Sequence, residues 1–515
     1  MSPAVTPAPL VPGTDGEYSL ARPADALESA LLLTHRFGRE DVREAVIAQI
    51  AAGWVLLGDG DKALPLADRI PPGQDPFGNS AWGALHRICA AQVHAAVGAV
   101  DTALKEMEEG LNRLKQVAPN ERVHVILEVA EAIRAAHEMT GDPRFAAFPA
   151  RLRELFHGAE ERAASDRAAV RVHLAVFRPE PARAIVEAGV EPLRAAPKPI
   201  EGDVPAYQLE TLAEYTEETG DRSLLGGALE LLPKVGTAHQ QLRAKASLGR
   251  ALREVGDLLA GERLLREAQG DLPSLPPGER VLGAVHIARV SARDGHLAGA
   301  DALLQWARWQ LTQITPKEDQ PMYRRRLASG FAHVGAHLGD PARIENGLAL
   351  LRGIPPGLEQ DLALESVGRC LVAYATLQPR MLRRLDRLEA RVGTSPPWGF
   401  KGLVAETREA LAAGAVPSAR QAYGRARRAV FHHIQEVPDM EELWRLMKQL
   451  HESFTHWDPS WGNKGDFVRL LDEAQAALKV RDWRTLRDRL RRAQHMLSQR
   501  RAATASPASP SQEGT

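Results

Sequence analysis

Cysteine is scarce in this chain. Only Cys89 and Cys370 are present, and they lie far apart with no other cysteine near either one. A small disulfide-stabilised domain needs several cysteines, and a cysteine-based zinc site needs thiolates at close spacing. Neither arrangement is indicated, so we expect a protein of the reducing cytoplasm.

Aromatic residues and long apolar runs are also few. Aromatic side chains make up 5% of the 515 residues, which is sparse for a β-sandwich or a β-barrel. No apolar run approaches the roughly 18 residues that cross a membrane, and Met1–Gly16 lacks the basic and apolar regions of a signal peptide. We therefore expect no membrane insertion, and a disordered N-terminal lead over residues 1–22.

Signatures of catalysis and of cofactor binding are missing as well. The sequence contains no Walker motif, no strand followed by a Gly-x-Gly-x-x-Gly turn, and no His-Glu-x-x-His. We therefore expect no enzymatic activity, no cofactor and no metal. One alternative stays open, because histidines and acidic residues recur between His432 and His456. Three or four of them converging at about 2.0–2.2 Å from a metal ion would make an all-helical metalloenzyme.

Helix-forming residues are abundant instead. Ala, Leu, Arg and Glu dominate the composition, which favours α-helix. The bias toward Ala, Arg, Gly and Pro with little Lys is typical of bacterial proteins from GC-rich genomes. The chain is longer than the roughly 250–300 residues at which one core stops growing. It must therefore form several domains or one extended array.

A repeat runs through most of the chain. A Gly turn, often Gly-Asp, recurs at intervals of about 36 to 44 residues, and the wider gaps fit two units. Glycine at such a place ends one helix before the next begins. Small residues that let two helices approach closely occupy matching places around the turns. The turn glycines are Gly58, Gly98, Gly141, Gly220, Gly256, Gly295, Gly339 and Gly414, and the small positions include Ala51, Ala213, Gly249, Ala288, Ala300 and Ala332.

The clearest match in register aligns Gly256–Ala268 with Gly295–Ala307. A Leu-Gly or Ile-Ala pair precedes the turn, a small residue opens the second helix, an Ala follows, and Pro273 or Pro356 comes after it. This order resembles the tetratricopeptide repeat, with units longer than that family's roughly 34 residues. The resemblance implies an all-α fold, an α-solenoid of stacked antiparallel helical hairpins over residues 23–378. HEAT-like hairpins or an Ala-rich helical bundle are the alternatives.

The resemblance also implies where a partner binds. The family's concave-face positions fall first on acidic residues, such as Glu210 and Glu214, and then on basic residues. A groove lined by Arg suits an acidic peptide or a terminal carboxylate. We expect Arg250, Arg253, Arg289 and Arg293 to form one basic patch, because stacked repeats bring equivalent positions side by side. The basic groove positions are Arg243, Arg250, Arg253, Arg289, Arg293, Arg326, His333 and His337.

Charge divides the chain in a second way. The net charge is −1, yet the residues up to Leu377 are net acidic and residues 379–501 are net basic. We therefore expect a basic helical C-terminal domain over 379–501, followed by a disordered Ser-, Pro- and Ala-rich tail over 502–515. The helix Asp482–Arg501 carries many Arg residues that could contact phosphates.

These patterns predict a non-catalytic scaffold or adaptor that binds a protein or an acidic peptide segment through the groove. One alternative is a regulatory protein whose basic C-terminal domain binds nucleic acid. The other is the all-helical enzyme that uses the stretch from His432 to His456.

Overall fold

The protein is all-helical, as the composition predicts. A computed structural model describes residues 19–69, 77, 80–156, 158–315, 317–393, 396–397, 399–436, 440–455, 457, 465–479 and 483–505. The β-type pairing within these ranges is an isolated bridge between Ile200 and Val235. No helix in the described ranges has the length and apolar character needed to cross a membrane.

The α-helices of the described residues are α1 (Pro23–Leu33), α2 (Glu40–Leu56), α3 (Gly60–Ala67), α4 (Ala81–Ala96), α5 (Val100–Leu114), α6 (Pro119–Thr140), α7 (Phe148–Glu154), α8 (Ala159–Ala175), α9 (Pro179–Ala195), α10 (Val204–Thr219), α11 (Leu225–Glu230), α12 (Ala238–Glu254), α13 (Leu258–Asp271), α14 (Pro277–Arg293), α15 (Leu297–Leu311), α16 (Gln320–Leu338), α17 (Pro341–Leu351), α18 (Leu358–Ala375), α19 (Leu377–Val392), α20 (Phe400–Ala412), α21 (Val416–Glu436), α22 (Met440–Thr455), α23 (Gly465–Lys479) and α24 (Trp483–Ala505). Short 3-10 helices lie at Thr34–Arg36, Pro143–Ala147, Leu232–Lys234, Leu272–Ser274 and Lys317–Asp319.

Many of these helices are joined by a turn in which glycine ends one helix and an aspartate caps the next. Gly256 has a φ of 93°, a left-handed conformation that only glycine adopts without strain. The side chain of Asp257 then accepts a hydrogen bond from the backbone N of Ala260 at 3.2 Å, which caps α13. The Gly-Asp pair in the sequence is thus a helix stop followed by a helix start. The turn glycines with positive φ are Gly58, Gly98, Gly141, Gly220, Gly256, Gly295, Gly339 and Gly414.

One turn of this kind lacks glycine. The sequence pattern has a double-length gap between Gly141 and Gly220, and the structure places α8 and α9 there. Phe177 lies in the turn between these two helices. Its φ is 56°, and no other non-glycine residue in the described ranges has a positive φ. A search for turn glycines could not detect this unit, because the residue that makes the turn is a phenylalanine.

The small residues of the repeat lie where paired helices touch. A Cβ atom on Gly249 would lie 3.0 Å from the backbone O of Gly261, and a Cβ atom on Gly261 would lie 2.5 Å from the backbone O of Gly249. The backbones of α12 and α13 therefore approach too closely for a larger residue at Gly261. The alanines of the pattern are buried, with at most 1% of each residue exposed: Ala51, Ala213, Ala288, Ala300 and Ala332.

The even-numbered helices from α2 to α18 form a closed series. Each packs against the next even-numbered helix, and α18 packs against both α1 and α2. Asp361 at the start of α18 accepts hydrogen bonds from the backbone N of Gly38 at 2.8 Å and of Arg39 at 3.1 Å, just before α2. Helices that are not neighbours in the series also meet, since Arg369 of α18 pairs with Glu128 of α6. We call this series the ring, and its helices enclose a common interior.

The N-terminal helix α1 completes the ring. Helix α18 is followed by Thr376 and then by α19. It packs extensively against α1 and makes few contacts with α19. Leu27 of α1 is fully buried, and a Cβ atom on Gly53 would touch the side chains of Leu27 and Val372. The repeat register predicts a solenoid but cannot show that its two ends meet, because closure depends on residues more than 300 positions apart.

Helices α19 to α21, up to Arg428, lie across the end of the ring where inner helices terminate. Arg387 donates a hydrogen bond of 2.5 Å to the backbone O of His137 in the last turn of α6. Arg428 donates one of 3.3 Å to the backbone O of Glu217 in α10. The last carbonyls of a helix lack intrahelical donors and carry the negative end of the helix dipole, so cationic side chains suit them. We call Leu377–Arg428 the cover.

The boundary between the two units of the structure differs from the predicted domain boundary, because the cover belongs to the first unit. The contacts divide the chain into a first unit, Met1–Arg428, and a second unit, Ala429–Thr515, whereas the charge pattern predicts a division between 378 and 379. The basic residues of the cover pair with acidic residues of the ring, as Arg384 does with Glu138 at 3.4 Å. Within the first unit, the basic cover therefore complements acidic residues of the ring.

The second unit has a core of its own between α22, α23 and α24. The predicted basic helix Asp482–Arg501 corresponds to α24, which buries Leu486, Leu490 and Leu497. The predicted N-terminal lead falls mostly outside the described residues, which begin at 19. The predicted C-terminal tail also lies outside them from 506 onward, whereas α24 continues through Ala505.

Leu27→Ala should lower the free energy of unfolding by about 2–5 kcal/mol, because it leaves a cavity between α1, α2 and α18. Urea unfolding measures this loss. Leu259→Ala in α13 is the matched control, since Leu259 is 86% exposed and its truncation should cost less than about 0.5 kcal/mol. Amide hydrogen exchange should also become faster in α18. A destabilised Leu27→Ala protein with unchanged protection in α18 would contradict closure by α1.

Candidate functional site

The predicted groove residues lie on three inner helices that follow one another in the ring. Arg243, Arg250 and Arg253 belong to α12, Arg289 and Arg293 to α14, and Arg326, His333 and His337 to α16. Their spacings of three, four and seven residues keep each set on one helix face. Contacts with α8, α10, α18 and the cover show that these faces turn toward the ring interior.

The first part of this interior is an array of shared ion pairs. Glu210 of α10 contacts Arg167 of α8 at 2.7 Å and Arg243 of α12 at 2.8 Å, with 2% of its side chain exposed. Burial opposes ionisation of this carboxyl group, but the two guanidinium charges outweigh burial and lower the pKa of Glu210 to about 2. Arg243 is therefore neutralised within the protein.

Glu214, one turn after Glu210, is shared in the same way. It contacts Arg167 again, and Arg171 at 2.6 Å. Burial is opposed by the charges of Arg167 and Arg171, which hold the pKa of Glu214 well below its usual value. Each of these carboxylates thus serves two arginines.

Arg250 and Arg253 are also neutralised. Asp294, the residue directly after α14, contacts Arg250 at 3.2 Å and Arg253 at 2.9 Å, and Arg250 contacts Glu217 as well. The expected basic patch that joins these two residues to Arg289 and Arg293 is therefore divided. The repeat register aligns equivalent positions, but it cannot show that Asp294 reaches back across to α12.

Four arginines of the interior have no acidic partner within 4.0 Å among the described residues. Two belong to α14, one to α16 and one to the cover. Arg326 is exposed and the other three are half-buried. We call them the arginine cluster: Arg289, Arg293, Arg326 and Arg420.

The arginines of this cluster lie close enough to repel one another. Burial is the main cause that lowers the pKa of Arg289 to about 10. Cys370 opposes this shift, and the charges of Arg326 and Arg293 add to it. Burial and the charges of Arg384, Arg293 and Arg250 lower the pKa of Arg420 to about 9. The Nε atoms of Arg289 and Arg420 are buried without a hydrogen-bond acceptor. Positive charge therefore accumulates here without a direct ion pair, and Glu217 and Glu214 offset part of it at Arg293.

Two serines and two histidines border the cluster. Arg289 donates a hydrogen bond of 2.7 Å to the hydroxyl of Ser329, which lies 2.5 Å from the hydroxyl of Ser366 in α18. The rings of His333 and His337 stack with centroids 6.4 Å apart. Burial and neighbouring arginine charges hold the pKa of both histidines well below the usual 6.5. Both are therefore neutral at pH 7, and each can donate one ring N–H.

Sequence reasoning found part of this cluster. Helical spacing and the repeat register placed Arg289, Arg293 and Arg326 on one face. Arg420 was missed as a member because it comes from the cover, which the charge pattern assigned to a separate domain. Ser329 and Ser366 were missed because a serine in a helix carries no signal of its own.

The described residues contain no group of three or more His, Cys, Asp and Glu side chains that could hold a metal. In the histidine-rich stretch, His432 and His451 are exposed, His433 is half-buried, and His456 lies outside the described residues. No family model matches the chain, and no curated protein or solved structure is significantly similar to it.

Glu210→Gln should lower the free energy of unfolding by about 3 kcal/mol at pH 7, because Arg167 and Arg243 lose a shared buried carboxylate. Glu262→Gln is the matched control, since this α13 side chain is 53% exposed and 4.0 Å from Arg266. Its effect should stay below about 0.5 kcal/mol. Chemical unfolding at pH 7 measures both losses.

The effect of Glu210→Gln should depend on pH. The folded pKa of about 2 is below the ordinary glutamate value of 4.5, so the stabilisation is complete above the unfolded pKa and is lost as pH falls toward the folded value. The difference in melting temperature between wild type and variant should therefore narrow on acidification from pH 7 toward pH 3. A constant difference over this range would contradict the ion-pair assignment.

Proposed function

We propose that this protein is a non-catalytic scaffold of tetratricopeptide-like helical hairpins that binds a negatively charged segment of a partner protein inside the ring. The observation that carries this proposal is the uncompensated arginine cluster. In the neighbouring part of the interior, Arg167, Arg243 and Arg250 all have carboxylate partners. The cluster is where an acidic ligand would complete the same pattern.

The cost of the unpaired charges supports this proposal. A half-buried guanidinium without a counter-charge loses hydration and gains nothing in return. A ligand carboxylate would restore that balance, because charge-assisted hydrogen bonds to arginine contribute roughly 1.5–3 kcal/mol each. The cluster therefore favours an acidic ligand over a neutral or basic one.

The exposure of part of the arginine cluster to solvent supports the proposed function as well. Arg326 is exposed, although it lies on the same inner helix as His333, two turns away. A ligand that first meets the charge of Arg326 can then reach Arg289 and Arg293, whose side chains retain partial exposure. Long-range attraction between opposite charges also speeds such an encounter.

The helical hairpins support the scaffold part of the proposal. Helix pairs joined by Gly turns and stacked through an inner layer are the arrangement by which repeat proteins present a concave face. Here that inner face is enclosed by α1 at the seam and by the cover at one end. The interior then suits a short segment rather than a folded domain.

Nucleic-acid binding through the cover has less support. Arg384 and Arg428 of the cover pair with Glu138 and Glu254 of the ring. Affinity for nucleic acid depends on basic side chains that are free to neutralise phosphates, and these two are already engaged. The enzyme alternative has less support too, since His432 and His451 are exposed on separate helices.

Reversing Arg289 and Arg293 together to Glu should weaken binding of a fluorescent peptide of Glu and Asp residues by roughly tenfold or more. The reason is that two charge-assisted contacts become repulsive. Fluorescence anisotropy at low salt measures the affinity, with an uncharged Ser and Gly peptide as the reference ligand. Circular dichroism should show an unchanged helix content.

The control is the double change Arg263→Glu with Arg266→Glu, which alters the net charge equally. These α13 side chains are 69% and 70% exposed and belong to a helix of the second layer. This control should bind the peptide nearly as well as wild type. Equal losses in both double variants, or no preference of wild type for the acidic peptide, would contradict the proposal.

A further inference from the structure

We infer that the arginine cluster holds a phosphate ester, so that the partner segment is a phosphorylated one. This inference rests on the proposed function and specifies the chemistry of its ligand.

The arginine cluster concentrates more positive charge than one carboxylate can balance. Its four arginines have no acidic partner within 4.0 Å among the described residues. A phosphate ester carries about −1.5 to −2 charges at pH 7 and presents three acceptor oxygens. One such group therefore offsets more of this charge, and accepts from more N–H donors, than one carboxylate does.

The donors of the cluster come from different directions. Arg289 and Arg293 lie one turn apart on α14, Arg326 comes from the neighbouring helix α16, and Arg420 comes from the cover. Arginine presents its N–H groups as a planar fork that matches two oxygens of a phosphate. Donors from three elements suit the tetrahedral oxygens of a phosphate better than the two coplanar oxygens of a carboxylate.

Unsatisfied donors in the protein agree with this assignment. The Nε atoms of Arg289 and Arg420 are buried and have no acceptor among the described residues. Buried polar groups without a hydrogen bond are rare in folded proteins and call for a missing partner. An anion bound among these arginines would supply acceptors for such donors.

The neighbouring side chains fit a dianion as well. Ser329 holds Arg289 at 2.7 Å and is itself held by Ser366 at 2.5 Å, so the guanidinium is oriented before a ligand arrives. The stacked imidazoles of His333 and His337 can each donate an N–H to an oxygen.

The test compares three peptides of one sequence that carry phosphoserine, Glu or Ser at a single position. Titration calorimetry with the full chain should give roughly tenfold or more tighter binding for the phosphoserine peptide than for the Glu peptide. Equal affinity of these two peptides would overturn the phosphate assignment and leave the proposed function standing. Absence of binding by both would overturn both.

Arg420→Gln should remove the preference for phosphoserine, because Arg420 reaches the site from the cover. Arg425→Gln in the same helix is the control, since Arg425 is 50% exposed and pairs with Glu406. The control should keep the preference, and circular dichroism should show equal helix content in both variants. A preference that persists in Arg420→Gln would overturn the assignment of this residue and of the site.

Inorganic phosphate serves as the second probe. It should compete with the phosphoserine peptide, and the competition should disappear in Arg420→Gln. Phosphate should bind more weakly than the peptide, because the peptide makes further contacts in the interior. Inorganic phosphate that binds as tightly as the peptide would identify a free anion as the ligand and overturn the assignment to a protein segment.

Discussion

The packing of α1 against α18 is the constraint on which the rest of this structure depends. It joins the two ends of the hairpin series, so that the helix face which an open solenoid would present to solvent becomes the wall of an interior. Charged side chains on that face must then be neutralised, because they lose part of their hydration. The cover adds its own arginines, which pair with acidic residues of the ring such as Glu138.

Carboxylates neutralise the interior arginines of α8 and α12, many of them from α10. The arginines of the cluster on α14 and α16 have no such partners within 4.0 Å among the described residues. Asp294 marks the change, since it satisfies Arg250 and Arg253 while Arg293, its neighbour in the chain, has no acidic partner within 4.0 Å among the described residues. A protein selected for stability alone would gain nothing from gathering Arg289, Arg293 and Arg420 near one another. The proposed function, which needs an anionic ligand, accounts for their presence.

Local rules in the sequence led to the all-α class, the Gly turns and the buried alanines. Each depends on residues a few positions apart, as in the Gly256 and Asp257 turn. Helical spacing likewise placed Arg289 and Arg293 on one face. The sequence could not predict the turn at Phe177, the closure by α1 or the contribution of Arg420. They depend on contacts between distant segments or on a rare backbone conformation.

The central claim is that the cluster is uncompensated while the rest of the interior is paired. Its most direct measurement compares the free energies of unfolding of Arg420→Gln and Arg250→Gln without any ligand. Arg250→Gln should lose about 3 kcal/mol, because it leaves Glu217 and Asp294 buried without their shared cation. Arg420→Gln should be as stable as wild type or more so, because it removes a charge that only repels its neighbours. Equal losses in the two variants would contradict the account.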